Sequence, residues 1–548
     1  MTRHGGKLLV DQLVVHGADT IFSVPGESFL AVLDGLYESP IRLITCRHEA
    51  GAANMADAYG KLTGRPGIAI VTRGPGATQA SVGVHTAFQD STPMILLVGQ
   101  VASDQVEREA FQELDYRRMF GEMTKWVAQI DRADRIPEYI ARAFSTACAG
   151  RPGPVVLALP EDMLTSETDA ADALPFHVVQ PYPGAEQIDA LRRMLERAER
   201  PLAILGGGGW TRRAADDMRV FLETNAISAG AAFRRQDSIE NDSPSYVGDV
   251  GIGINPKLAA RVRESDLLLV IGPRLGEMTT SGYTLIEPPA PAQPLVHVHP
   301  GAEELGRVYR PELPILSGMT HFAAAVRDVR VEPRWRDWTS DARADYEAWQ
   351  QPPPMPGPVD LGVCIVQLRN RVPDAIVTNG AGNFSAWAHR FWRWHEYPSQ
   401  LAPTSGAMGY GVPAAVAAKA VSPGRTVICF AGDGDFLMSG QELATAVQHE
   451  LPILVIVVNN GMYGTIRMHQ ERHYPGRVVG TDLVNPDFAA YARAFGAHGE
   501  TVTETAGFAG AVDRALASGG VALIELQIDP DAINPRTTLS AIRAEALT

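Results

Sequence analysis

Residues 427–460 read VICFAGDGDFLMSGQELATAVQHELPILVIVVNN. The apolar run Val427–Ala431 predicts a β-strand that ends at the turn Gly432-Asp433-Gly434. The next 24 residues, 435 to 458, end in a second apolar run, Pro452–Val458, and lead to Asn459-Asn460. Between the two runs, Phe436, Leu443 and Val447 are spaced to share one face of a helix. The stretch therefore predicts a βαβ unit with a polar turn after each strand.

Both turns follow the carboxyl ends of parallel strands, the edge where such sheets bind ligands. Glycines there let backbone N–H groups approach a phosphate, and a helix N-terminus favours its negative charge. Asp433 and an asparagine side chain offer the hard oxygen ligands that Mg²⁺ binds beside phosphates. A Gly-Asp-Gly tripeptide alone usually makes only a turn, so the interpretation as a diphosphate–Mg²⁺ site depends on the asparagine pair.

The spacing of the two turns resembles the thiamine diphosphate-binding motif of enzymes that decarboxylate and ligate 2-oxo acids. By that resemblance Asp433, Asn460 and the backbone carbonyl of Met462 hold the metal. The Gly432-Asp433-Gly434 turn binds the diphosphate, with N–H groups of Gly434 and Asp435 as donors. Many relatives have serine in place of Asp435, so its carboxylate should point away from the phosphates.

The whole chain has 548 residues, enough for two to four domains. It is 45% hydrophobic and 20% charged, with a formal net charge of −15 that argues against nucleic acid and anionic membrane surfaces as partners. No apolar run approaches the roughly 20 residues that span a bilayer, and the start lacks the apolar core of a secretory signal. The four cysteines have no metal or disulfide spacing, which predicts buried thiols in a reducing cytoplasm.

Strand-like runs alternate with helical segments in three blocks, which predicts an α/β fold with three doubly wound parallel-sheet domains. The runs are 41–46, 68–72, 94–98 and 155–159, then 201–205, 267–271 and 295–298, then 375–378, 426–430, 453–458 and 522–528. A polar linker, Thr165–Gly184, and a proline-rich linker, Gln350–Pro358, separate the blocks. The predicted domains are 1–164, 185–335 and 358–548.

A second constellation lies near the N-terminus. Glu49 follows a predicted strand and opens an alanine-rich helix, where a first-turn carboxylate is favoured by the helix dipole alone. The segment Arg47–Gly60 nevertheless resembles the family segment with the essential carboxylate. By that resemblance Glu49 hydrogen-bonds N1′ of the cofactor's aminopyrimidine and drives the proton relay, while the cofactor performs the bond-making chemistry.

The turn that contains Gly74, Thr72–Gln79, closely matches the Gly-Pro-Gly-Ala-Thr turn of acetolactate synthases. Phe111, Gln112 and Lys125 also match that subgroup, where they line the cavity above the reactive C2 carbon and orient substrates. Without the resemblance, Phe111 would be assigned to the core and Lys125 to solvated surface. Arg73 replaces a serine common in synthases, and it either binds an acid substrate or pairs with a surface carboxylate.

The third block adds three further positions to the expected cofactor site. By resemblance the carbonyl of Gly406 accepts from the pyrimidine amine, and Met408 enforces the bent cofactor between its two rings. Asn383-Phe384 lies beside a diphosphate contact, where the biosynthetic enzymes have Gln-His. A second departure from those enzymes is His469, which occupies the position of their substrate-selecting tryptophan.

The chain is therefore identified as a thiamine diphosphate-dependent enzyme of the acetolactate synthase type. That family implies pyrimidine-binding, central and pyrophosphate-binding domains, and an active site shared between the subunits of a homodimer or homotetramer. The segment Ile271–Met278 only loosely follows the flavin-binding stretch of the biosynthetic enzymes, so FAD is doubtful.

The leading hypothesis is decarboxylation of pyruvate or a similar 2-oxo acid, with ligation to a second carbonyl compound. Simple decarboxylation, as in benzoylformate decarboxylase, stays open, although only His85 is a candidate for the histidines that it uses. Acyl-CoA cleavage or ligation is a further alternative, but no CoA-binding tail is visible after Arg536. A non-catalytic module is the least favoured, because Glu49 and the whole metal set are present.

Overall fold

The structure, a computed structural model, describes residues 2–548. Two compact units divide the chain. The first ends at Val179 and also includes Val416–Val421 and Gln441–His449. The second comprises Gln180–Ala415, Ser422–Gly440 and Glu450–Thr548. Three six-stranded parallel sheets, each flanked by helices, confirm the predicted fold class.

The first sheet has the strand order β3-β2-β4-β5-β7-β6. Its strands are β2 Thr20–Ser23, β3 Arg42–Thr45, β4 Gly67–Val71, β5 Met94–Gln100, β6 Trp126–Gln129 and β7 Pro154–Pro160, and β1 Arg3–His4 pairs with β8 Glu167–Thr168. The helices are α1 Gly5–Val15, α2 Leu30–Leu36, α3 Glu49–Thr63, α4 Pro75–Asp90, α5 Tyr116–Phe120, α6 Ile136–Cys148 and α7 Glu161–Thr165. The chain reverses its direction of winding between β2 and β4, so a ligand crevice is expected at their carboxyl ends.

The central sheet has the order β11-β10-β9-β12-β13-β14. Its strands are β9 Pro201–Leu205, β10 Ser228–Ala232, β11 Tyr246–Val250, β12 Leu267–Ile271, β13 Leu295–His299 and β14 Leu313–Leu316. The helices are α8 Ala185–Arg197, α9 Arg212–Thr224, α10 Pro256–Glu264, α11 Met319–Val326 and α12 Arg336–Trp349. Its winding reverses between β9 and β12.

The third sheet has the order β16-β15-β17-β18-β20-β19. Its strands are β15 Ile376–Asn379, β16 Gln400–Leu401, β17 Val427–Gly432, β18 Leu454–Asn459, β19 His498–Val502 and β20 Ala522–Gln527. The helices are α13 Leu361–Arg371, α14 Ser385–Phe391, α15 Gly411–Val421, α16 Asp433–Phe436, α17 Leu443–Gln448, α18 Gly464–His473, α19 Phe488–Ala494, α20 Thr505–Ala517 and α21 Leu539–Ala546. The winding reverses between β15 and β17, where the Gly432 turn begins.

Every apolar run named from the sequence forms a strand in the structure. Most of the strands that the sequence pattern missed are edge strands, namely β6, β11, β14, β16 and β19. Edge strands are less enclosed than central ones, so their sequences carry a weaker apolar signal. The predicted linker Thr165–Gly184 is only partly irregular, because Thr165 ends α7 and Glu167–Thr168 form β8, while residues 169–184 form neither helix nor strand. The predicted linker Gln350–Pro358 forms neither helix nor strand. The domain boundaries themselves stay a prediction.

The predicted helix from Phe436 to Val447 is wrong as a single element. The chain forms α16, then a turn, and then α17, so Phe436 and Leu443 lie on different helices. Gly440 opens a short 3₁₀ helix, Gly440–Glu442, before α17, and an added Cβ there would be 2.7 Å from the Phe436 ring. Ser439 and Gly440 are poor helix formers, so a single helix does not continue from Phe436 to Leu443.

None of the helices formed by residues 2–548 is long and apolar enough to cross a bilayer.

The C-terminal helix α21 packs on α18 through an ion pair. Arg543 Nε donates to the buried Glu471 carboxylate at 2.7 Å, and Nη2 donates to its other oxygen. The hydrogen bond from Arg543 lowers the pKa of Glu471 to about 2 from an ordinary 4.5. A lowered carboxyl pKa stabilises the fold fully above about pH 4.5, and this contribution is lost as the pH falls toward 2.

We therefore expect Glu471→Gln to destabilise the third-sheet domain by about 2 kcal/mol at pH 7, the usual contribution of a hydrogen bond to a charged group. In thermal unfolding, the melting difference from the natural protein should shrink below pH 4.5. The matched control is Glu500→Gln, because Glu500 pairs with Arg514 in the same domain but more openly to solvent. Its effect should be smaller. If both variants lose the same stability at pH 7, the buried Glu471–Arg543 pair contributes no more to folding than the exposed Glu500–Arg514 pair.

Candidate functional site

The third sheet brings two glycine turns together where its winding reverses. An added Cβ on Gly380, after β15, would lie 1.9 Å from Asp435 Oδ1. An added Cβ on Gly432, at the end of β17, would lie 2.8 Å from the Phe384 ring. Side chains from each turn thus occupy the space beside the other turn's backbone. Both positions require glycine for this close approach.

Asp435 ties a third turn to these two. Its fully buried carboxylate accepts from the N–H of Ala381 at 3.2 Å and from the N–H of Gly409 at 2.8 Å. Burial raises the pKa of Asp435 to about 7. Gly406 and the half-buried Met408 lie in the turn held by Gly409. The Asp435 carboxylate therefore aligns the three segments in which the cofactor residues were predicted.

Asp433 connects the glycine turn to the asparagine turn. Its Oδ1 accepts from the N–H of Gly434 at 2.9 Å. Its Oδ2 accepts from the N–H of Gly461 at 2.9 Å and from Asn485 Nδ2 at 2.7 Å. Burial raises the pKa of Asp433 above its usual range, and these three donors oppose that shift.

The asparagine pair is fixed by its own turn. Asn459 Oδ1 accepts from the N–H of Gly461 at 3.1 Å, and its Nδ2 donates to Glu525 at 2.7 Å. Asn460 Oδ1 accepts from the N–H of Met462 at 3.2 Å. Of the predicted metal ligands, the structure therefore brings Asp433 into contact with the turn that contains Asn460 and Met462.

These groups suit a hard cation. Among residues 2–548, no lysine, arginine or histidine forms an ion pair with Asp433. The side-chain oxygen of Asn485 is buried and has no hydrogen-bond partner among the same residues. The described chain has no cluster of three or more His, Cys, Asp and Glu residues suited to a metal. A carboxylate, amide oxygens and carbonyls are ligands that Mg²⁺ accepts when phosphates complete its shell.

Asn383 is oriented from α18. Its N–H donates to Thr465 Oγ1 at 3.0 Å, and the Thr465 hydroxyl donates to Asn383 Oδ1 at 3.0 Å. Thr465 is the second residue of α18, the helix held by the Glu471–Arg543 pair. Sequence reasoning missed Thr465, because the two residues are 82 positions apart.

In the first sheet, Glu49 is the first residue of α3 and is half-buried. His48 caps the helix by accepting from the N–H of Ala50 at 3.1 Å. An added Cβ on Gly76, in the first turn of α4, would lie 3.5 Å from Glu49 Oε1. Glu49 and the Gly74–Gly76 turn are thus neighbours at the carboxyl edge of the sheet.

The start of α3 depends on a residue that sequence reasoning missed. The buried Glu442 carboxylate accepts from the N–H of Arg47 at 3.1 Å, and burial raises the pKa of Glu442. An added Cβ on Gly51 would lie 2.5 Å from the same carboxylate. No local pattern signals this contact, because 395 residues separate Glu442 from Arg47.

The loop that contains Phe111 and Gln112 packs on the Gly74 turn. An added Cβ on Gly74 would lie 2.7 Å from the Gln112 carbonyl, and the N–H of Gly74 donates to the Tyr116 hydroxyl at 2.9 Å. Gln112 has a φ of +65°, a strained conformation for a residue with a side chain. Phe111 is 72% exposed, so it is not a core residue of this chain.

Arg73 holds this loop and does not face solvent. Its Nε donates to the Phe111 carbonyl at 3.1 Å, and its guanidinium pairs with Glu27 at 3.4 Å and with Glu161. The sequence left two roles for Arg73, binding of an acid substrate or pairing with a carboxylate, and the structure shows the pairing. Its charge is already compensated, so it is a poor partner for an acid substrate.

Lys125 lies away from this group. It precedes β6, and its N–H donates to the carbonyl of Pro154, the first residue of β7. Its Nζ donates to the carbonyl of Ala149 at 2.5 Å. These contacts place Lys125 at the amino edge of the first sheet, opposite the edge of Glu49 and Gly74. Within this chain, the expected grouping of Lys125 with Gln112 therefore does not occur.

Comparisons with known proteins agree with this geometry. Family models match three parts of the chain: the N-terminal TPP binding domain of thiamine pyrophosphate enzymes at residues 3–119, their central domain at 188–326, and their C-terminal TPP binding domain at 380–526. The acetolactate synthase isozyme 2 large subunit of Escherichia coli (strain K12) is 31% identical over 533 residues, which cover 96% of each chain.

Two further relatives are also acetolactate synthase large subunits, one of them a probable one. The acetolactate synthase large subunit of Parasynechococcus marenigrum is 32% identical over 92% of this chain and 84% of its own length. A probable acetolactate synthase large subunit of Methanocaldococcus jannaschii is 29% identical over 96% of this chain and 92% of its own. The similarity therefore extends over all three sheets.

Proposed function

The chain belongs to the family of thiamine pyrophosphate enzymes, of the acetolactate synthase type, and from this we propose that it decarboxylates pyruvate or a similar 2-oxo acid and joins the remaining fragment to a second carbonyl compound. The observation that carries the proposal is the contact of Asp433 with the Asn459–Gly461 turn. That contact supports a cation and diphosphate site built from two segments of the third sheet.

Asp433, Asn460 and the carbonyl of Met462 would hold Mg²⁺. The Gly432–Asp435 turn and Asn383 would face the diphosphate, and Gly406 and Met408 would face the ring system. Three turns tied by Asp435 support this arrangement, because they keep these positions at fixed separations. When bound, thiamine diphosphate supplies the carbon nucleophile and accepts the electron pair that remains when CO₂ leaves.

In the first sheet, we assign proton transfer at N1′ of the pyrimidine to Glu49. Phe111 and Gln112 would bind and orient the substrate, and the Gly74 turn would support the cofactor. The contacts of Arg73 with Phe111 support these roles, since they hold a strained loop at the carboxyl edge. Lys125 keeps a substrate-orienting role only through the family resemblance.

Simple decarboxylation has weaker support. Its one candidate proton donor, His85, is exposed and lies ten residues into α4. At 1.5 Å per residue, it is about 15 Å along the helix from the Gly74 turn. No observation favours acyl-CoA chemistry or a non-catalytic role.

We propose no FAD for the central domain. Trp210 is 4% exposed, and its Nε1 donates to the carbonyl of Gly206, at the end of β9, at 2.7 Å. An added Cβ on Gly272, after β12, would lie 3.1 Å from this nitrogen and 2.8 Å from Met319 Sδ. A dinucleotide at this reversal point would have to displace the indole, which supports a crevice filled by the protein itself.

We also propose a homodimer or homotetramer in the cytoplasm. Glu49 and Asp433 belong to different compact units of the chain, and in the family the two face one cofactor from two subunits. All four cysteines are buried and form no disulfide, which suits a reducing compartment. The net charge of −15 supports small molecules rather than nucleic acid as partners.

The test is an NMR product assay with pyruvate, thiamine diphosphate and Mg²⁺, with an aldehyde acceptor in a parallel tube. We expect acetolactate in the first tube or a mixed hydroxyketone in the second. Acetaldehyde without ligation would replace the proposal by simple decarboxylation. If neither pyruvate nor bulkier 2-oxo acids are consumed while the cofactor is bound, the proposed reaction is wrong.

A further inference from the structure

Asn485 reaches the candidate metal site from a segment that runs back along the asparagine turn. The N–H of Leu483 donates to the carbonyl of Gly461 at 2.8 Å. The N–H of Tyr463 donates to the carbonyl of Thr481 at 2.9 Å. These antiparallel contacts fix the backbone that leads to Asn485. Its carboxamide is thereby directed at Asp433, 52 positions earlier in the chain.

The two oxygens of Asp433 differ in how many donors they already have. Oδ2 accepts two hydrogen bonds, from Gly461 N–H and Asn485 Nδ2. Oδ1 accepts one, from Gly434 N–H. A carboxylate oxygen offers about two lone-pair sites. Oδ2 is therefore saturated within the protein, and Oδ1 keeps one site for a cation.

The orientation of the Asn485 amide is determined by its neighbours. Nδ2 donates to Asp433 Oδ2 at 2.7 Å and to Asn459 Oδ1 at 2.9 Å. The reverse orientation would set the amide oxygen against these two oxygens. The amide oxygen is thus left in a buried position without a donor among residues 2–548. A buried acceptor without a donor is unfavourable, and a water molecule in a metal's hydration shell would satisfy it.

We propose that Asn485 is a positioning residue of the metal site. It saturates Asp433 Oδ2, so that Asp433 binds the cation through Oδ1 alone, and its own side-chain oxygen accepts from a metal-bound water. The inference rests on the proposed metal site and is independent of which reaction the enzyme performs. Residues that hold metal ligands in this way typically contribute 10–100-fold to metal affinity, so the effect is expected to be of about this size.

The test is a titration of the protein with Mn²⁺ in the presence of thiamine diphosphate. The EPR signal of the free ion measures how much Mn²⁺ remains unbound. Asn485→Ala is expected to raise the Kd for Mn²⁺ about 10–100-fold. Asn485→Ser, which keeps a hydroxyl donor, should have a smaller increase. If the alanine variant does not fold, the serine variant carries the test, and an unchanged Kd in either folded variant overturns the proposal.

Asp487→Ala is the matched control. Asp487 lies two residues away and caps α19 by accepting from the N–H of Ala490 at 2.8 Å, so its loss disturbs the same segment without contact to Asp433. Its Kd for Mn²⁺ should be that of the natural protein. An equal rise in both variants would make Asn485 merely structural and overturn the positioning role. If the natural protein binds no Mn²⁺ at all, the proposed metal site fails instead.

Discussion

The Glu49→Gln enzyme is expected to lose at least about 100-fold in kcat while its affinity for thiamine diphosphate stays nearly unchanged. Glutamine fills the same space at the start of α3 and leaves the His48 cap intact, but it cannot exchange a proton with the pyrimidine nitrogen. Steady-state kinetics measure the first quantity, and cofactor-induced quenching of tryptophan fluorescence measures the second. Hydrogen–deuterium exchange at the cofactor's C2 position should slow by a similar factor.

Glu138→Gln separates the catalytic role from helix stabilisation. Glu138 is also a first-turn carboxylate in the same domain, at the start of α6, where it pairs with Arg135. Its loss removes a comparable interaction with the helix dipole. We expect its kcat to equal that of the natural enzyme. If Glu49→Gln keeps the turnover of the natural enzyme, the assignment of proton transfer to Glu49 is wrong.

The second large effect is expected for Asp433→Asn, which should weaken the joint binding of Mg²⁺ and thiamine diphosphate at least about 100-fold. The carboxylate accepts from three N–H groups through its two oxygens. A carboxamide places its own N–H₂ group against one or two of these donors and removes the charge that attracts the metal. Isothermal titration with cofactor and Mg²⁺ together measures the loss.

Asp237→Asn is the matched control for burial. Its carboxylate is also buried and accepts from two backbone N–H groups, those of Ser399 and Gln400. These residues lie at the amino end of β16, away from the carboxyl edge of the third sheet. This variant should lose thermal stability and keep its affinity for Mg²⁺ and cofactor. Natural affinity in Asp433→Asn would reject Asp433 as the metal ligand.

Mixing the two inactive variants adds a check on the proposed assembly. If Glu49 and Asp433 serve one site from different subunits, a mixed dimer has one doubly substituted site and one intact site. Activity should therefore return after subunit exchange between Glu49→Gln and Asp433→Asn. Continued inactivity of verified mixed dimers would mean that both residues serve the same site from one subunit.

Much of the architecture could be predicted from the sequence. Central strands of parallel sheets are buried on both faces, so runs such as Met94–Val98 and Val427–Ala431 are apolar without interruption. Five of the six edge strands of the three large sheets, all except β3, lack that enclosure and were not predicted. The helix after Gly434 was also mispredicted, because matching apolar spacing at Phe436 and Leu443 arises from two separate packing environments rather than one helical face.

Part of the candidate site could also be predicted from local motifs, and part depended on how the chain crosses the sheet. Asp433 and Asn460 were recognisable because each sits in a turn directly after a strand, and the carboxyl ends of neighbouring parallel strands meet by construction. Lys125 shows the limit of this reasoning. Its motif is local, but the connection between β5 and β6 crosses from one edge of the sheet to the other.

The sequence alone was enough to predict three α/β blocks, the family and the glycine turns, and to propose Glu49 and Asp433 as the central carboxylates. These properties follow from local periodicity and from short motifs at strand ends. Only the tertiary structure revealed that Glu442 holds the start of α3, that Arg73 is neutralised, and that Asn485 saturates one oxygen of Asp433. Hydrogen bonds between residues 52 to 395 positions apart leave no periodic trace in the chain, because their geometry exists only after the sheets have assembled.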